Sequence, residues 1–262
     1  MNPMLNVAIK AVRHAGKLLV QSYTNQKTLE NINNKEYINN IIYKSRNLII
    51  QIIKRYYPKH IYVVDNVSVL RIIKEKNNKN IHWIINILDG KINFLKKYPH
   101  FAITIAIYIK NRTEISVIYD PMRNELFTSV RGRGAQINGY RMRCSNNFNL
   151  SSLSISTNYL PIFKEENRLD IYNKKIKNLI FNCNNLRFTG SKMLELVYLA
   201  SNRIDLCIYF NIKPCILITC ELQIRESGAL ITDLYGGNDY SNFGNILVGN
   251  SKVIQKVLKM IL

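Results

Sequence analysis

The sequence predicts an α+β first half followed by an α/β second half. Two stretches with apolar side chains at helical spacing open the chain, and short alternating segments separated by turn residues follow them. Beyond residue 150, predicted strands and helices alternate, as they do in α/β domains. A polar segment at residues 145–150 separates the halves. We therefore expect residues 1–145 and 146–262 to form two parts of one compact fold.

The first half is predicted to begin with two helices and a short strand. Apolar residues recur at helical spacing over residues 4–23 and again over residues 38–56, where Pro58 ends the second helix. A short strand is predicted over residues 61–64 and ends at Asp65. Alternation and turn signals then predict antiparallel strands over residues 101–109, 114–119 and 125–130, followed by a hairpin toward Tyr140.

The second half carries clear helix boundaries. The segment Thr189-Gly190-Ser191 is a good start for a helix over residues 192–199. Gly228 occupies the usual position just after the end of a helix, here one over residues 216–227. Further helices are predicted over residues 165–178 and 252–262, and strands over residues 153–156, 204–209, 230–233 and 246–248.

The stretch HWIINILDGKINF, residues 82–94, is the most informative part of the chain. Its apolar residues 83–88 predict a buried strand that stops abruptly at Asp89-Gly90. An acid and a glycine at the end of a buried strand commonly mark a metal or phosphate site, because glycine lets the backbone approach an anion. A structural role explains the pair equally well, with Asp89 capping a helix that begins at Ile92. Both interpretations stay open at this point.

The chain is strongly basic: its 262 residues include 37 lysines and arginines against 17 acidic residues, a net charge of +20. Such a charge is the electrostatic footprint of a protein that binds nucleic acid or another polyanion. Isoleucine, asparagine and lysine are abundant everywhere, however, including the exposed-looking loop 74–80. A strongly A+T-rich genome fills unconstrained positions in this way. We favour such compositional drift as the origin of the charge, which alone identifies no partner.

The cysteines indicate a reducing compartment, and the hydropathy pattern indicates neither a signal peptide nor a membrane span. The chain has five cysteines, an odd number without a CxxC pair, which argues against a disulfide framework and against a zinc site. Charged residues interrupt the apolar ones at the N-terminus, so we expect no signal peptide there. No run approaches the ~18 apolar residues of a membrane span. We expect a cytoplasmic protein that does not cross a membrane.

Several informative segments are spread in order over essentially the whole chain, among them WIINILDGKINF, PHFAITIAIYIKNRTEISVIYDPMRNELF, RGRGAQINGYRMR and RFTGSKMLELVYLASNRID. Together they resemble the inositol monophosphatase family. The resemblance implies the layered αβαβα sandwich of the magnesium-dependent, lithium-inhibited phosphatases, which are usually dimeric and hydrolyse inositol phosphate with two or three Mg²⁺ ions. It is strongest to a bacterial branch whose members also serve as a Nus factor, joining the antitermination complex on RNA polymerase during ribosomal RNA transcription.

Two-metal phosphate hydrolysis requires clustered carboxylates that hold the ions about 3.5–4 Å apart. The resemblance aligns four of the family's five acidic positions as follows. The glutamate after the first short strand matches Asp65, and the two aspartates of the DPxDGTxNF motif match Asn86 and Asp89. The aspartate of the C-terminal WD motif matches Ile216, and Leu88 matches the residue that supplies a backbone carbonyl.

The family residues that assist the reaction are also replaced. The fifth acid, an aspartate that helps to activate the nucleophilic water, falls on Ile42, and the threonine with the same task falls on Lys91. The substrate-contacting glutamate falls on Tyr209. Three small residues that the resemblance places near the substrate are kept: Gly90, Gly190 and Ser191.

These replacements predict that the metal site is lost. The formal charge of the acidic positions falls from about −5 to about −2, and Lys91 brings it near −1. A lysine ammonium about 4 Å from a divalent ion costs up to about 8 kcal/mol at an effective dielectric constant near 20. We expect Ile42 and Ile216 to line the pocket with aliphatic surface, which cannot ligate an ion. We therefore expect no cofactor, with Mg²⁺ binding lost or very weak.

Three functions stay open. The first is a non-catalytic, homodimeric Nus-type scaffold whose partners are RNA polymerase and Nus factors. The second is a residual Mg²⁺-dependent inositol-1-phosphate phosphatase that uses Asp65 and Asp89 with one ion, and Lys91 beside Gly90 could also hold a phosphate without metal. The third is an RNA-binding module that uses the basic surface. We favour the first, because the fold-forming segments read as intact while the catalytic acids are replaced.

Overall fold

The predicted layered order of helices and sheets is observed in the structure, a computed structural model. It describes residues 2–25, 34–64, 68–69, 71–72, 75, 79–158, 179, 183–240 and 244–261. Within these ranges a helix pair, a seven-stranded sheet, a second helix pair, a five-stranded sheet and a helix follow one another, so the predicted αβαβα layering is confirmed. Asp65 and the helix predicted over residues 165–178 lie outside the described residues.

The outer layer consists of α1 (Pro3–Asn25) and α2 (Asn34–Tyr56), which confirm the first two predicted helices. The apolar stripe of α1 is buried because it recurs at the helical period and so lies on one face. That stripe packs with α2 against one face of the first sheet, where Trp83 and Ile105 are buried. None of the helices in the described part of the chain has the length and apolarity that a bilayer crossing requires.

The first sheet confirms the predicted antiparallel meander. Strand β1 (Ile61–Val63) pairs in parallel with β2 (His82–Asp89), and each later strand pairs antiparallel with the one before it. The later strands are β3 (Ala102–Ile109), β4 (Arg112–Asp120), β5 (Glu125–Val130), β6 (Ala135–Ile137) and β7 (Tyr140–Met142). Strand β7 forms one edge of this sheet.

Two helices and the second sheet complete the sandwich. A short helix α3 (Lys91–Leu95) follows β2, and α4 (Lys192–Ala200) and α5 (Pro214–Glu226) pack between the two sheets. The second sheet has the order β11-β12-β10-β8-β9, and the final helix α6 packs on its outer face. The bounds are β8 (Ser154–Thr157), β9 (Asn185–Arg187), β10 (Leu206–Tyr209), β11 (Leu230–Thr232), β12 (Ile246–Gly249) and α6 (Ser251–Ile261).

One buried cluster takes residues from both halves of the chain. Ile118 and Phe127 of the first sheet lie in it with Leu196 of α4, Ile224 of α5 and Val248 of β12. The helices between the sheets therefore bury apolar surface on two sides, as the middle layer of a sandwich must. The division at residue 145 stays a prediction.

Candidate functional site

A cleft of about 630 Å³ lies at the end of β2. Its walls come from the last residues of β2, the start of α3, the loop before α4 and the first turn of α5. The predicted site residues that line it are Asn86, Leu88, Asp89, Gly90, Lys91, Gly190 and Ile216. The fold thus brings together most of the positions that the resemblance assigned.

A β-bulge points both Asn86 and Asp89 toward this cleft. Asn86 pairs with Thr104 and Asp89 pairs with Ala102, so β2 advances three residues where β3 advances two. Because side chains alternate along a regular strand, positions 86 and 89 would otherwise lie on opposite faces of the sheet. The periodicity of an apolar run carries no signal for such a bulge, and we did not predict it.

Gly90 is required by packing at the bottom of the cleft. Its φ is +83°, and a Cβ atom there would lie 2.7 Å from the carbonyl oxygen of His100. The Asn93 side chain holds the same region together, because its Nδ2 donates to the carbonyl oxygens of His100 and Thr189, both at 2.8 Å. Close backbone packing therefore explains the glycine without an anion.

Asp89 caps a helix, but not the one that we predicted. Gly90 stands at the N-terminal end of α3, which begins at Lys91 and has no side-chain cap, so the prediction that Asp89 caps it is wrong. Oδ2 of Asp89 instead accepts hydrogen bonds from Ser191 Oγ at 2.7 Å and from the Met193 amide at 2.9 Å. Asp89 therefore supplies the hydrogen-bond acceptor for free donors at the N-terminal end of α4, about a hundred residues away in the chain.

Burial raises the pKa of Asp89, and the hydrogen bonds from Ser191 and Met193 and the charge of Lys192 lower it in part. The Asp89 carboxylate is thus held by groups at the start of α4, namely those of Ser191, Lys192 and Met193. Its partners are those of a structural anchor between the first sheet and the central helices.

We expect the variant Asp89→Ala to lower the free energy of unfolding by about 2 kcal/mol, because the Met193 amide and the Ser191 hydroxyl both lose their acceptor. Urea denaturation measures this change. The matched variant Asp89→Asn keeps an acceptor oxygen and is expected to lose less than half as much. Equal stability of Asp89→Ala and the natural protein would contradict the anchor role.

Among the described residues, three lysines lie at or beside the cleft. Lys91 and Lys213 line it with exposed side chains, and the half-buried Lys192 lies close enough to Asp89 for their charges to interact. Burial and the charge of Lys213 lower the pKa of Lys192, while Asp89 raises it. Sequence analysis assigned the neighbouring cation to Lys91 and missed Lys192. In the sequence, the one feature that could have placed Lys192 near Asp89 is its position directly after Ser191. That feature becomes informative only when the hydrogen bond between Ser191 and Asp89 is known.

The first turn of α5 supplies the aliphatic wall of the cleft. Ile216 is buried and lines the cleft, as expected. Cys215 beside it also lines the cleft, and its burial, together with the charge of Asp89, raises the pKa of the thiol to about 11. The thiol is therefore neutral at physiological pH, and this wall offers no anionic ligand.

Ile42 and Tyr209 correct two expectations. Ile42 packs against the cluster between α1, α2 and the first sheet, and it is not among the described residues that line the cleft. Tyr209 is fully buried on β10, and its hydroxyl contacts the carboxylate of Glu195 and Ser156 Oγ, the latter at 2.7 Å. It therefore faces the interior network of α4 instead of a substrate, because strand alternation turns it inward.

The donor set of the described cleft does not suit Mg²⁺. Mg²⁺ requires several hard oxygen ligands in octahedral geometry. Nδ2 of Asn86 is directed at Met193 Sδ, at 3.5 Å, and Oδ2 of Asp89 already accepts two hydrogen bonds. Across the described ranges, no group of three or more His, Cys, Asp or Glu side chains could hold a metal ion.

Comparison with known proteins agrees with this fold over the whole chain. A sequence model of the inositol monophosphatase family matches residues 1–261. The chain is 44% identical over 264 residues to the Nus factor SuhB of Buchnera aphidicola subsp. Schizaphis graminum, covering 100% of this chain and 96% of that protein. It is 38% identical over 260 residues to the Nus factor SuhB of Escherichia coli (strain K12), covering 98% and 95%.

A solved structure shows the same architecture. The extragenic suppressor protein suhB from Bartonella henselae matches with a TM-score of 0.81 at 26% identity, covering 99% of each chain. The layered sandwich, the segments that first indicated the family and these full-length matches agree in order and extent. The chain belongs to the inositol monophosphatase family.

Proposed function

We propose that this chain is a non-catalytic Nus-type factor, a dimeric scaffold that assembles with RNA polymerase and other Nus factors during ribosomal RNA transcription. The observation that carries the proposal is the similarity, over the full length, to proteins named Nus factor SuhB. The proposal implies a cytoplasmic protein. It requires an intact fold and no catalytic centre.

The cleft supports the non-catalytic part of the proposal. Its scaffold is retained, since Asn93 and Asp89 hold the surrounding loops and helices in place. Among its described lining residues, however, one carboxylate faces two lysines, Lys91 and Lys213. A site with this balance repels a divalent cation instead of binding it. We therefore infer that no Mg²⁺ cofactor is used.

The dimer is the part of the proposal that follows from the resemblance to a family whose members are usually dimeric. Light scattering should give a mass twice that of the 30.5 kDa chain, and a monomer at micromolar concentration would contradict the dimer.

We expect the immobilised protein to retain RNA polymerase and Nus factors from an extract of its own cells at about 0.15 M salt, where exposed charges are screened beyond about 8 Å. Quantitative mass spectrometry of the retained proteins measures this. A catalytically active inositol monophosphatase of the same fold, immobilised at equal density, serves as the control and should retain neither. The absence of polymerase from the retained proteins would overturn the proposal.

A further inference from the structure

A second cavity, of about 340 Å³, lies against one face of α5. Positions 214, 217, 218, 221, 222 and 225 of the helix line it, and they recur at the helical period. The end of the hairpin between β3 and β4, together with Arg131 and Tyr240, supplies the rest of its described lining. None of these residues lines the cleft at the end of β2. We call this site the α5 cavity.

The α5 cavity has an apolar wall that the fold holds in place. Leu217, Ile218 and Leu222 line it, and each of them is at most 8% exposed. The hydroxyl of Thr113 on β4 donates to the carbonyl oxygen of Ile218 at 2.9 Å, which fixes the helix against the sheet. Sites for small molecules commonly have a volume in this range and are lined mainly by apolar side chains. The wall therefore suits the apolar part of a small ligand.

Three arginines line the same cavity, and each of them is fixed through its Nε atom. Arg112 and Arg225 donate from Nε to the carboxylates of Glu114 and Glu221, and Arg131 donates from Nε to a backbone carbonyl oxygen. Among the described residues, Nη1 of all three arginines has no hydrogen-bond partner. A guanidinium group that is already ordered loses little freedom when it binds an anion. The cavity therefore holds ready donors for an acidic group.

A buried hydroxyl group in the α5 cavity also lacks a partner. Tyr108 lines the cavity and is only 7% exposed, yet no described residue forms a hydrogen bond with its Oη atom. Burial, and then the charge of Glu221, raises the pKa of Tyr108, so the hydroxyl keeps its proton and can donate it. Buried polar atoms in folded proteins normally have a hydrogen-bond partner. The Tyr108 hydroxyl therefore calls for an acceptor inside the cavity.

We propose that the α5 cavity binds a small organic anion with an apolar body, either a carboxylate or a phosphate monoester. The described lining has three guanidinium groups and one carboxylate, that of Glu221, so it favours a negatively charged ligand. An inorganic anion would leave the apolar wall without a contact. An uncharged apolar molecule would leave the guanidinium groups and the Tyr108 hydroxyl without an acceptor. The proposal does not depend on the Nus-type function.

The test measures binding of 8-anilinonaphthalene-1-sulfonate, an apolar anion that fluoresces in apolar sites, at about 0.15 M salt, where diffuse attraction is screened. The probe should bind saturably, and the variant Arg112→Gln/Arg131→Gln should bind it at least about tenfold more weakly. Tyr108→Phe keeps the ring and removes only the hydroxyl, so we expect about threefold weaker binding. Displacement of the probe by 4-phenylbutyrate or by phenyl phosphate supports the proposal and shows which acidic group the cavity prefers.

The matched control removes two arginine charges elsewhere. Arg133 and Arg141 are exposed and lie outside the described lining of the α5 cavity, so Arg133→Gln/Arg141→Gln should leave the affinity nearly unchanged. Thermal melting verifies that all variants are folded, and Tyr108→Phe tests the site without removing a charge. Equal losses in the two arginine variants would show diffuse attraction and overturn the proposal. Equally effective displacement by the uncharged 4-phenylbutan-1-ol would show that the cavity does not select an anion, which would also overturn it.

Discussion

Hydrolysis of inositol 1-phosphate by the purified protein in millimolar Mg²⁺ should be more than a hundredfold slower than hydrolysis by an active member of the family. The cleft presents Asn86 and Ile216 at two positions where the resemblance implies aspartates, and it adds lysine charges beside Asp89. A hundredfold loss corresponds to only about 2.7 kcal/mol of transition-state stabilisation. Charge reversal beside a divalent ion costs more than that. A steady-state phosphate-release assay measures the rate.

Titration calorimetry with Mg²⁺ distinguishes a loss of Mg²⁺ binding from a loss of catalytic activity alone. The natural protein should give no binding heat, whereas Asn86→Asp/Lys91→Thr/Ile216→Asp restores three family-type residues and should bind Mg²⁺ measurably. The position of Ile216 in the first turn of α5 favours this variant, because a carboxylate there interacts well with the helix dipole. Turnover by the natural protein within a hundredfold of an active relative would show that the site still functions.

The protein should become less stable by about 3 kcal/mol as the pH falls from 6.5 to about 4, owing to His100 alone. Burial, and then the charge of Arg123, lowers the pKa of His100 from 6.5 to about 4. Between these values the unfolded chain binds a proton that the folded protein does not. The stabilisation is therefore complete above pH 6.5 and is lost as the pH falls toward 4.

The geometry around His100 explains why its pKa is lowered. Thr189 Oγ1 donates to Glu195 Oε1 at 2.6 Å, so Nε2 of His100, at 2.8 Å, donates its hydrogen to Thr189 Oγ1. Nδ1 is then the unprotonated nitrogen, and it lies 3.5 Å from Nη1 of Arg123. A second proton on the ring would place two positive charges side by side in a buried site.

The measurement is urea denaturation at several pH values between 4 and 7. The variant His100→Gln keeps a side-chain donor for Thr189 but cannot take up a proton. The stability difference between the natural protein and this variant should therefore change by about 3 kcal/mol over the range. His14→Gln, at an exposed position of α1, is the matched control and should follow the natural protein. A pH-independent difference for His100→Gln would refute the assignment.

Local patterns were sufficient for most of the fold. The strand Glu125–Val130 has the predicted bounds, and the helices Pro3–Asn25 and Lys192–Ala200 lie within a few residues of theirs. Hydrophobic period and turn residues act over a few residues, so one sequence carries them completely. The sequence also has the neutral residues Asn86 and Ile216 at two positions where the resemblance implies aspartates, so the expected loss of acids there needed no structure.

The roles of individual side chains depended on contacts between distant segments. Asp89 was predicted to cap its own helix but caps α4 through Ser191 and Met193, and Tyr209 was assigned to the substrate but binds Glu195. Neither partner can be found from spacing, because the pairing depends on how the sheets stack the helices between them.

Residues 82–94 show most clearly which features follow from the sequence and which depend on the tertiary structure. The sequence by itself determined a buried strand that ends at an acid and a glycine, since hydrophobicity and glycine act locally. The tertiary structure decided what that end does. A bulge against β3 turns Asn86 and Asp89 into the cleft, and the N-terminal end of α4 then takes the carboxylate. A carboxylate binds the nearest unsatisfied donor, and only the folded chain determines which donor is near.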